Sequence, residues 1–381
     1  MVGSAIALGL GKLGFSVAVV EPNMPQPFLP EQAPDIRVSA ISLTSEQLLT
    51  GLGAWSDIQK MRLCPYKRLS VWDKLSCRTD FDCASITQAH LGHIVENRVI
   101  QLGLHNVLAK YDTIQLFAND KVTVIESDHI SKIQLASGQS IQARLLIGAD
   151  GAQSKVRAAA NIGVQGWQYA QQALGIQIQT SAPQQDITWQ QFTPEGPMAY
   201  LPLYDGFGSL VWYQSAKGVK DLKGLSKAKL KQQIQTAFPD DLVDFEVLDM
   251  ASFGLTRMHA NQYYKGNTVL IGDAAHTINP LAGQGVNLGF KDVAVLLDII
   301  ARQLESTGKK TLFSDADLWL KQYENTRRAD NLMMMSAMDI LYATFSNNSL
   351  PLKMMRNLGL KLANRSGPLK NQAMKYAMGL N

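Results

Sequence analysis

The feature that most constrains the fold of this chain is residues 271–290, IGDAAHTINPLAGQGVNLGF. An apolar run at residues 268–271 predicts a buried strand, which Gly272 and Asp273 follow, and a helical pattern begins at Val286. A carboxylate at a strand end can hold a sugar hydroxyl. Glycines ahead of a helix let backbone N–H groups approach an anionic ligand, which the helix dipole also attracts. The segment therefore favours a site for a ligand with a sugar-like chain and a pyrophosphate over an ordinary strand–loop–helix with incidental glycines.

The N-terminal segment carries a second signal of the same kind. Residues 1–22, MVGSAIALGLGKLGFSVAVVEP, predict a helix closed by Gly14 and then a strand, residues 17–20, that ends in Glu21. In dinucleotide-binding folds the acid that closes the second strand accepts hydrogen bonds from the adenosine ribose. That acid should follow the glycine loop by about 20 residues. Gly3 and Glu21 have this spacing, although the pair would be a weak signal by itself.

Two further charged residues have a candidate role in the same site. In residues 145–157, LLIGADGAQSKVR, an apolar strand leads to Asp150, and a helix begins near Ser154. Asp150 can be a simple turn or helix-capping residue, but its occurrence in order with Asp273 favours a role in ligand binding. Arg37 lies where a cation could meet a pyrophosphate, and a solvated surface arginine is the alternative.

Composition limits the classes of protein to which this chain can belong. The chain has 381 residues, of which 46% are hydrophobic and 18% charged, so it can form two packed domains. No apolar run reaches the roughly 18 residues needed to span a bilayer. Cys64, Cys77 and Cys83 are sparse, which indicates a reducing cytoplasm. Five residues separate Cys77 from Cys83, too many for a zinc knuckle with His90 and His93, so we predict no metal site.

The net charge of +4 is concentrated at the C-terminus. Residues 341–381 contain six basic side chains and no acid, which leaves the rest of the chain with a net charge of −2. A basic and apolar terminus can lie on anionic lipid, and a helical tail packed on the protein is the alternative. Nucleic-acid binding is disfavoured, because no aromatic platform accompanies the charge.

Strand-like runs with turns between them, in residues 168–253, predict a mostly antiparallel sheet inserted between the ligand-binding segments. After residue 290 the pattern is helical. We predict ligand-binding segments at residues 1–65, 95–167 and 254–330, a substrate domain at 66–94 and 168–253, and a helical C-terminal region at 331–381.

Together these segments resemble the ubiquinone-biosynthesis FAD-dependent hydroxylases. Residues 271–290 resemble the second FAD-binding fingerprint of flavoprotein aromatic hydroxylases, and residues 145–157 resemble their aspartate–glycine motif. The segments WQYAQQALGIQIQ, TWQQFTPEGPMAYLPLYD, SLVWYQS and FSNNSLPLKMMRNLGLK are most similar to the branch that hydroxylates demethoxyubiquinol. The motifs cover nearly the whole chain, but the substrate-domain segments distinguish only moderately among sister enzymes.

The resemblance implies an α/β fold similar to that of p-hydroxybenzoate hydroxylase. Such a fold has an FAD-binding Rossmann-like domain, a mostly antiparallel substrate-domain sheet interleaved with it, and a helical C-terminus. In the family an apolar strand leads into GGGMVG, whose methionine corresponds to Met1 here. The resemblance therefore implies that the first strand is missing, either because the reading frame starts at an internal methionine or because the chain is a variant without that strand.

The resemblance also implies an activity. It is that of an FAD-dependent monooxygenase, which uses NAD(P)H and O₂, through a flavin C4a-hydroperoxide, to hydroxylate the ring of a prenylated quinol or phenol. The expected partners are that substrate, O₂, and the membrane surface or other ubiquinone-biosynthesis proteins, with a location in the cytoplasm or at the periphery of the inner membrane. Another FAD oxidoreductase of the same fold, or a flavin-deficient scaffold subunit, remain alternatives.

The resemblance places the cofactor on specific residues and leaves the catalytic residues unassigned. Asp273 is expected at the ribityl and pyrophosphate region, Glu21 at the adenosine ribose and Arg37 near the phosphates. His276 is expected to brace the loop rather than to move protons. The full set of expected cofactor-binding residues is Gly3, Glu21, Arg37, Asp150, Gly272, Asp273, Pro280, Gly283, Gly285, Val286 and Asn287.

Overall fold

The structure is a computed structural model and describes residues 1–127, 129–239, 242–279, 285–347 and 349–380. Its first half contains helices α1 (Val2–Lys12), α2 (Leu43–Leu52), α3 (Trp55–Met61), α4 (Asn97–Leu108) and α5 (Lys155–Ala159). The strands of this half are β1 (Val17–Glu21), β2 (Val38–Ser42), β3 (Cys64–Tyr66), β4 (Arg68–Trp72), β5 (Thr79–Asp82), β6 (Gly92–Glu96), β7 (Ile114–Ala118), β8 (Val122–Ser127), β9 (Ser131–Leu135), β10 (Ser140–Ala143) and β11 (Leu146–Gly148).

The second half begins with a long strand and ends in helices. Its strands are β12 (Val164–Thr180), β13 (Ile187–Thr193), β14 (Gly196–Pro202), β15 (Phe207–Ser215), β16 (Phe245–Ala260), β17 (Tyr264–Lys265), β18 (Thr268–Leu270) and β19 (His276–Thr277). Its helices are α6 (Ala216–Lys223), α7 (Lys227–Ala237), α8 (Gly285–Thr311), α9 (Ala316–Phe345), α10 (Leu350–Arg365) and α11 (Pro368–Met378).

Parallel strands and three helices form the first core. Strand β1 pairs in parallel with β7, and β11 pairs in parallel with β18. Helices α1, α4 and α8 pack with them around fully buried side chains such as Leu8, Leu104, Leu270 and Val293. Helix α1 is the first element, and within the described ranges no strand pairs with the second edge of β1 or of β11. This arrangement of parallel strands and packed helices confirms the predicted α/β class.

An eight-stranded sheet forms the second core. Its order is β19-β16-β12-β15-β14-β13-β4-β5, and all neighbours are antiparallel except β13 and β4. Because side chains alternate along a strand, Leu174 and Ile176 of β12 face a cluster with Leu230 of α7, whereas Ala173 packs with Met335 of α9. The sheet is mostly antiparallel, as predicted, and helices cover both of its faces.

Strand β12 begins at Val164, four residues before the predicted start of the sheet at residue 168. The first five residues of β12 are all exposed, so they lack the alternation of apolar and polar side chains that reveals a half-buried strand. Their pairing with residues 256–260 of β16 holds them in the sheet. The domain bounds stay a prediction, and β12 and β16 both run continuously across a predicted boundary.

The C-terminal helices pack unequally. Helix α9 buries Trp319 and Tyr323, and α11 buries Met374 and Met378. Helix α10 instead exposes a row of large apolar side chains to solvent. They are between 58% and 69% exposed and belong to Leu350, Met354, Met355, Leu358 and Leu362. In the part of the chain that the structure describes, no helix combines the length and the apolar character that crossing a bilayer requires.

Candidate functional site

The carboxyl ends of β1, β11 and β18 meet at the N-terminus of α1. A Cβ atom added to Gly3 would lie 3.2 Å from the Cβ of Ala149, the residue after β11. A Cβ added to Gly272 would lie 3.4 Å from Val2 Cγ1. Gly272 therefore lies against the first turn of α1. Ligands of open α/β folds bind at this end of parallel strands, where the N–H groups of a helix point toward them.

Gly272 and Asp273 form a tight turn after β18. Gly272 has φ +58°, a left-handed conformation that a side chain would strain. The Asp273 side chain is exposed, yet burial raises the pKa of its carboxyl, whereas His276 and Arg37 act in the opposite direction. The Asp273 side chain is thus accessible from solvent, although protein atoms pack around its carboxyl. Asp273 is therefore available to a ligand that binds at this end of the strands.

The buried carboxylate of Asp292, on α8, holds this turn in place. Its Oδ2 accepts hydrogen bonds from the Gly272 N–H at 2.8 Å and from His276 Nε2 at 2.5 Å. Its Oδ1 accepts one from Arg327 Nε at 2.7 Å. Burial alone would raise the pKa of Asp292, but His276 and Arg327 outweigh it and hold the pKa at about 2. Asp292 is thus ionised, and His276 braces the loop, as the sequence analysis expected.

The N-terminus of α8 begins at Gly285, and its first residues are tied to β2 and α2 through Asn287. Asn287 Oδ1 accepts hydrogen bonds from the Ser42 N–H at 3.1 Å and Ser45 Oγ at 2.8 Å, and its Nδ2 donates to the Ala40 carbonyl at 2.8 Å. A Cβ added to Gly285 would meet no described heavy atom within 4 Å, so the described residues leave this helix end open.

Pro280 and Gly283, which the sequence analysis placed at the flavin edge, lie outside the described residues. Val286, placed beside them, is half-buried in the first turn of α8.

Glu21 and Arg37 border the same strand ends. Glu21 is the last residue of β1, and its carboxylate accepts hydrogen bonds from the Asn23 N–H at 3.1 Å and from Gln101 Nε2 at 3.2 Å. Arg37 is exposed, with its guanidinium 4.9 Å from the centre of the Phe253 ring. The positive charge of Arg37 lowers the pKa of Asp273, so the two side chains interact electrostatically.

Asp150 takes part in the local structure of its own loop. Its Oδ2 accepts hydrogen bonds from the N–H groups of Lys155 at 2.7 Å and Val156 at 3.2 Å, in the first turn of α5. The structure therefore shows the capping contact that the sequence analysis treated as the alternative. A role for Asp150 in cofactor binding stays a prediction.

Sequence reasoning missed several polar residues around the site. Asp292 and Arg327 lie on different helices, and Tyr213 OH donates a 2.9 Å hydrogen bond to Asn279 Oδ1 across a sequence separation of 66 residues. Tyr213 and Asn279 are both buried. Only the position of Asn279, directly before Pro280 in the glycine-containing loop, could have indicated it from sequence.

The residues fit FAD. The first turns of α1 and α8, all of whose residues the structure describes, contain no acidic side chain, so both helix ends favour an anion. Glu21 offers a ribose acceptor at the end of β1, and Asp273 offers a carboxylate at the same end of the strands. These features suit a dinucleotide with a pyrophosphate at its centre.

The fold and this site define an FAD-dependent monooxygenase. The family described as "FAD binding domain" matches residues 3–333, and the chain belongs to this family. The p-nitrophenol 4-monooxygenase from Pseudomonas putida superposes with a TM-score of 0.79 over 100% of this chain and 95% of its own, at 18% identity. This likeness confirms the predicted fold.

Relatives of known name match the whole chain. The 3-demethoxyubiquinol 3-hydroxylase of Escherichia coli is 45% identical over 100% of this chain and 96% of its own length. The ubiquinone biosynthesis monooxygenase COQ6 of Danio rerio is 34% identical over 99% of this chain and 87% of its own. The ubiquinone hydroxylase UbiL of Rhodospirillum rubrum is 34% identical over 100% and 87%. The predicted resemblance to ubiquinone-biosynthesis hydroxylases is confirmed.

Replacing Asp292 with Asn should destabilise the protein strongly. The change leaves Arg327 buried without its counter-charge, and the loss of one partner of a buried pair costs about 3 to 5 kcal/mol. Urea denaturation of the flavin-bound protein measures the change. Asp298→Asn is the matched control on the same helix, because its pair with Arg302 is exposed and is expected to contribute less than about 1 kcal/mol. Similar losses in both variants would contradict the role of Asp292.

Proposed function

We propose that this monooxygenase hydroxylates the aromatic ring of a prenylated quinol in ubiquinone biosynthesis, with electrons from NAD(P)H and one oxygen atom from O₂. The observation that carries the proposal is the 45% identity to a 3-demethoxyubiquinol 3-hydroxylase, which extends over the entire chain. The similarity therefore includes the eight-stranded sheet and the C-terminal helices as well as the FAD-binding segments. Demethoxyubiquinol is accordingly the substrate to test first.

Bound FAD would supply the redox chemistry, the acceptance of two electrons from NAD(P)H and the activation of O₂. The protein binds and orients the cofactor. We assign the adenosine ribose to Glu21, the phosphates to Gly3 and Arg37, and the ribityl region to Gly272 and Asp273. In this assignment the open N-terminus of α8, with Gly285, Val286 and Asn287, lies at the flavin edge together with Pro280 and Gly283. Asp150 holds the loop after β11 beside the pyrophosphate.

The assignment of Asp273 predicts that Asp273→Ala loses FAD. A hydrogen bond to a charged group contributes about 1.5 to 3 kcal/mol, so the dissociation constant for FAD should rise roughly 10- to 100-fold. Flavin absorbance after gel filtration, followed by FAD titration of the apoprotein, measures this. Asp112→Ala is the control, because Asp112 is exposed and precedes β7, at the opposite end of the parallel strands. Undiminished FAD retention in Asp273→Ala would reject the assignment.

The proposed reaction is tested with the flavin-loaded protein, NADH or NADPH, ¹⁸O₂ and a short-chain demethoxyubiquinol. We expect a product that contains one ¹⁸O atom, together with substrate-dependent oxidation of the nicotinamide. Incorporation of ¹⁸O into another quinol or phenol intermediate, but not into demethoxyubiquinol, would indicate that the enzyme catalyses a sister reaction of the pathway. Oxidation of NAD(P)H to give only hydrogen peroxide with every ring substrate would contradict the proposal.

We further propose that α10 contacts a membrane surface, where a substrate with a long prenyl chain is found. Leu350, Met354, Leu358 and Leu362 are spaced by four residues, so they share one face of the helix, and all are exposed. Lys361 and Arg365 are exposed on the same helix and can attract anionic headgroups. Of the six basic residues of the tail, Arg356 is internal, because its Nε pairs with buried Asp73 Oδ2 at 2.7 Å.

We also propose a cytoplasmic location at the periphery of the membrane. The three sparse cysteines, Cys64, Cys77 and Cys83, argue against the disulfide framework of a secreted protein.

The double variant Leu358→Glu, Leu362→Glu should lose binding to anionic vesicles by at least tenfold and keep its FAD. Both side chains are exposed, so the substitutions leave the core unchanged, while each removes apolar area that could enter the lipid interface. Co-sedimentation with vesicles that contain phosphatidylglycerol measures the effect. Leu29→Glu is the control, since Leu29 is 60% exposed and lies outside α10. Equal binding of the double variant and the wild type would rule out α10 as the contact.

A further inference from the structure

Three metal-ligating side chains meet between α2 and the start of β6. They are Glu46 of α2, His90 in the preceding loop, and His93 of β6, and their ligand atoms all lie within 4.8 Å of one another. Glu46 Oε2 lies 2.8 Å from His90 Nε2 and 3.2 Å from His93 Nδ1. The two imidazole rings are 4.3 Å apart between centres. The histidines therefore face the same carboxylate oxygen from two sides.

His93 provides a second, independent observation. The residue is only 5% exposed, and among the described residues its Nδ1 has no hydrogen-bond partner of acceptable geometry. A buried nitrogen without a hydrogen bond is costly, since it has lost its water. Nδ1 instead lies 3.2 Å from Glu46 Oε2, an ion-pair distance without hydrogen-bond geometry, so a cation between the two atoms would satisfy both.

The donor set indicates the kind of ion. Two imidazole nitrogens and one carboxylate oxygen suit a zinc-type divalent ion, which takes its ligands at about 2.0 to 2.2 Å. Tetrahedral ligands at these distances are about 3.4 Å apart. The observed separations of 2.8 and 3.2 Å therefore need to widen by about 0.6 and 0.2 Å, which small side-chain rotations can provide. The side chains of Glu46 and His90 are each 20% exposed, so a water molecule can reach the fourth position.

We propose that Glu46, His90 and His93 bind a zinc-type divalent metal ion that fastens α2 to β6. The site contains neither Cys77 nor Cys83. The cysteine spacing that argued against a zinc knuckle therefore does not apply to it. The ion has a consequence for the cofactor site. Ser42 and Ser45, at the start of α2, hold Asn287 in the first turn of α8. A metal that restrains α2 therefore stabilises the open end of α8 as well.

Cobalt(II) is the probe that tests the site. The flavin-loaded protein is treated with a chelator and titrated with Co²⁺, whose visible ligand-field bands report coordination by nitrogen and oxygen. We expect saturation at one equivalent, displacement of the bands by one equivalent of Zn²⁺, and a rise of several degrees in Tm with Zn²⁺. Bound Co²⁺ should quench the fluorescence of Trp55, whose ring centre is 5.1 Å from that of His93. Trp55→Phe should remove this quenching.

Glu46→Gln and His90→Asn are the variants to compare, because both side chains are partly exposed and neither change should prevent folding. Each should weaken Co²⁺ binding at least tenfold and abolish the shift in Tm, with flavin content unchanged. His129→Asn is the control, since His129 is exposed and outside the cluster. Cobalt bands that persist in both cluster variants, or a wild-type protein that binds neither ion at about 1 mM, would overturn the proposal.

Discussion

The ionised carboxylate of Asp292 is the contact on which the cofactor end of the molecule depends. It is fully buried and joins three segments, the turn after β18, helix α8 and helix α9, through Gly272, His276 and Arg327. A buried charge tolerates little displacement, because a lost partner leaves it without compensation. The left-handed turn at Gly272 is consequently fixed, and with it the position of Asp273.

Helix α8 transmits this constraint to the rest of the site. Asn287, five residues before Asp292, binds the junction of β2 and α2 through Ser42 and Ala40. One helix thus positions both the turn that carries Asp273 and the segment that follows Arg37. Through these hydrogen bonds, parts of the chain more than 200 residues apart form one site.

Local patterns made much of this fold predictable. The helix that Gly14 closes and the strand that ends in Glu21 each follow from neighbouring residues, through glycine conformation and strand periodicity. The contacts of Asp292 with Arg327, and of Glu46 with His90, could not be predicted in this way. Their partners come from separate elements, so only the tertiary fold shows that a buried acid has a counter-charge or that two histidines share a carboxylate.

The features assigned to cofactor binding are strand ends and helix N-termini. They are general, and any enzyme of this fold needs them. That is why a p-nitrophenol 4-monooxygenase can share the architecture at 18% identity. Discrimination between ring substrates must therefore come from other residues. Where the eight-stranded sheet meets α9, the buried Tyr213 is bonded to Asn279, and Met334, Met335 and Met338 pack in the same cluster as Tyr213. Flexible thioether side chains can adapt to different neighbours, whereas the tyrosine–asparagine pair provides a fixed polar contact. This interface therefore combines adaptable and fixed side chains, which strand ends and helix N-termini do not supply.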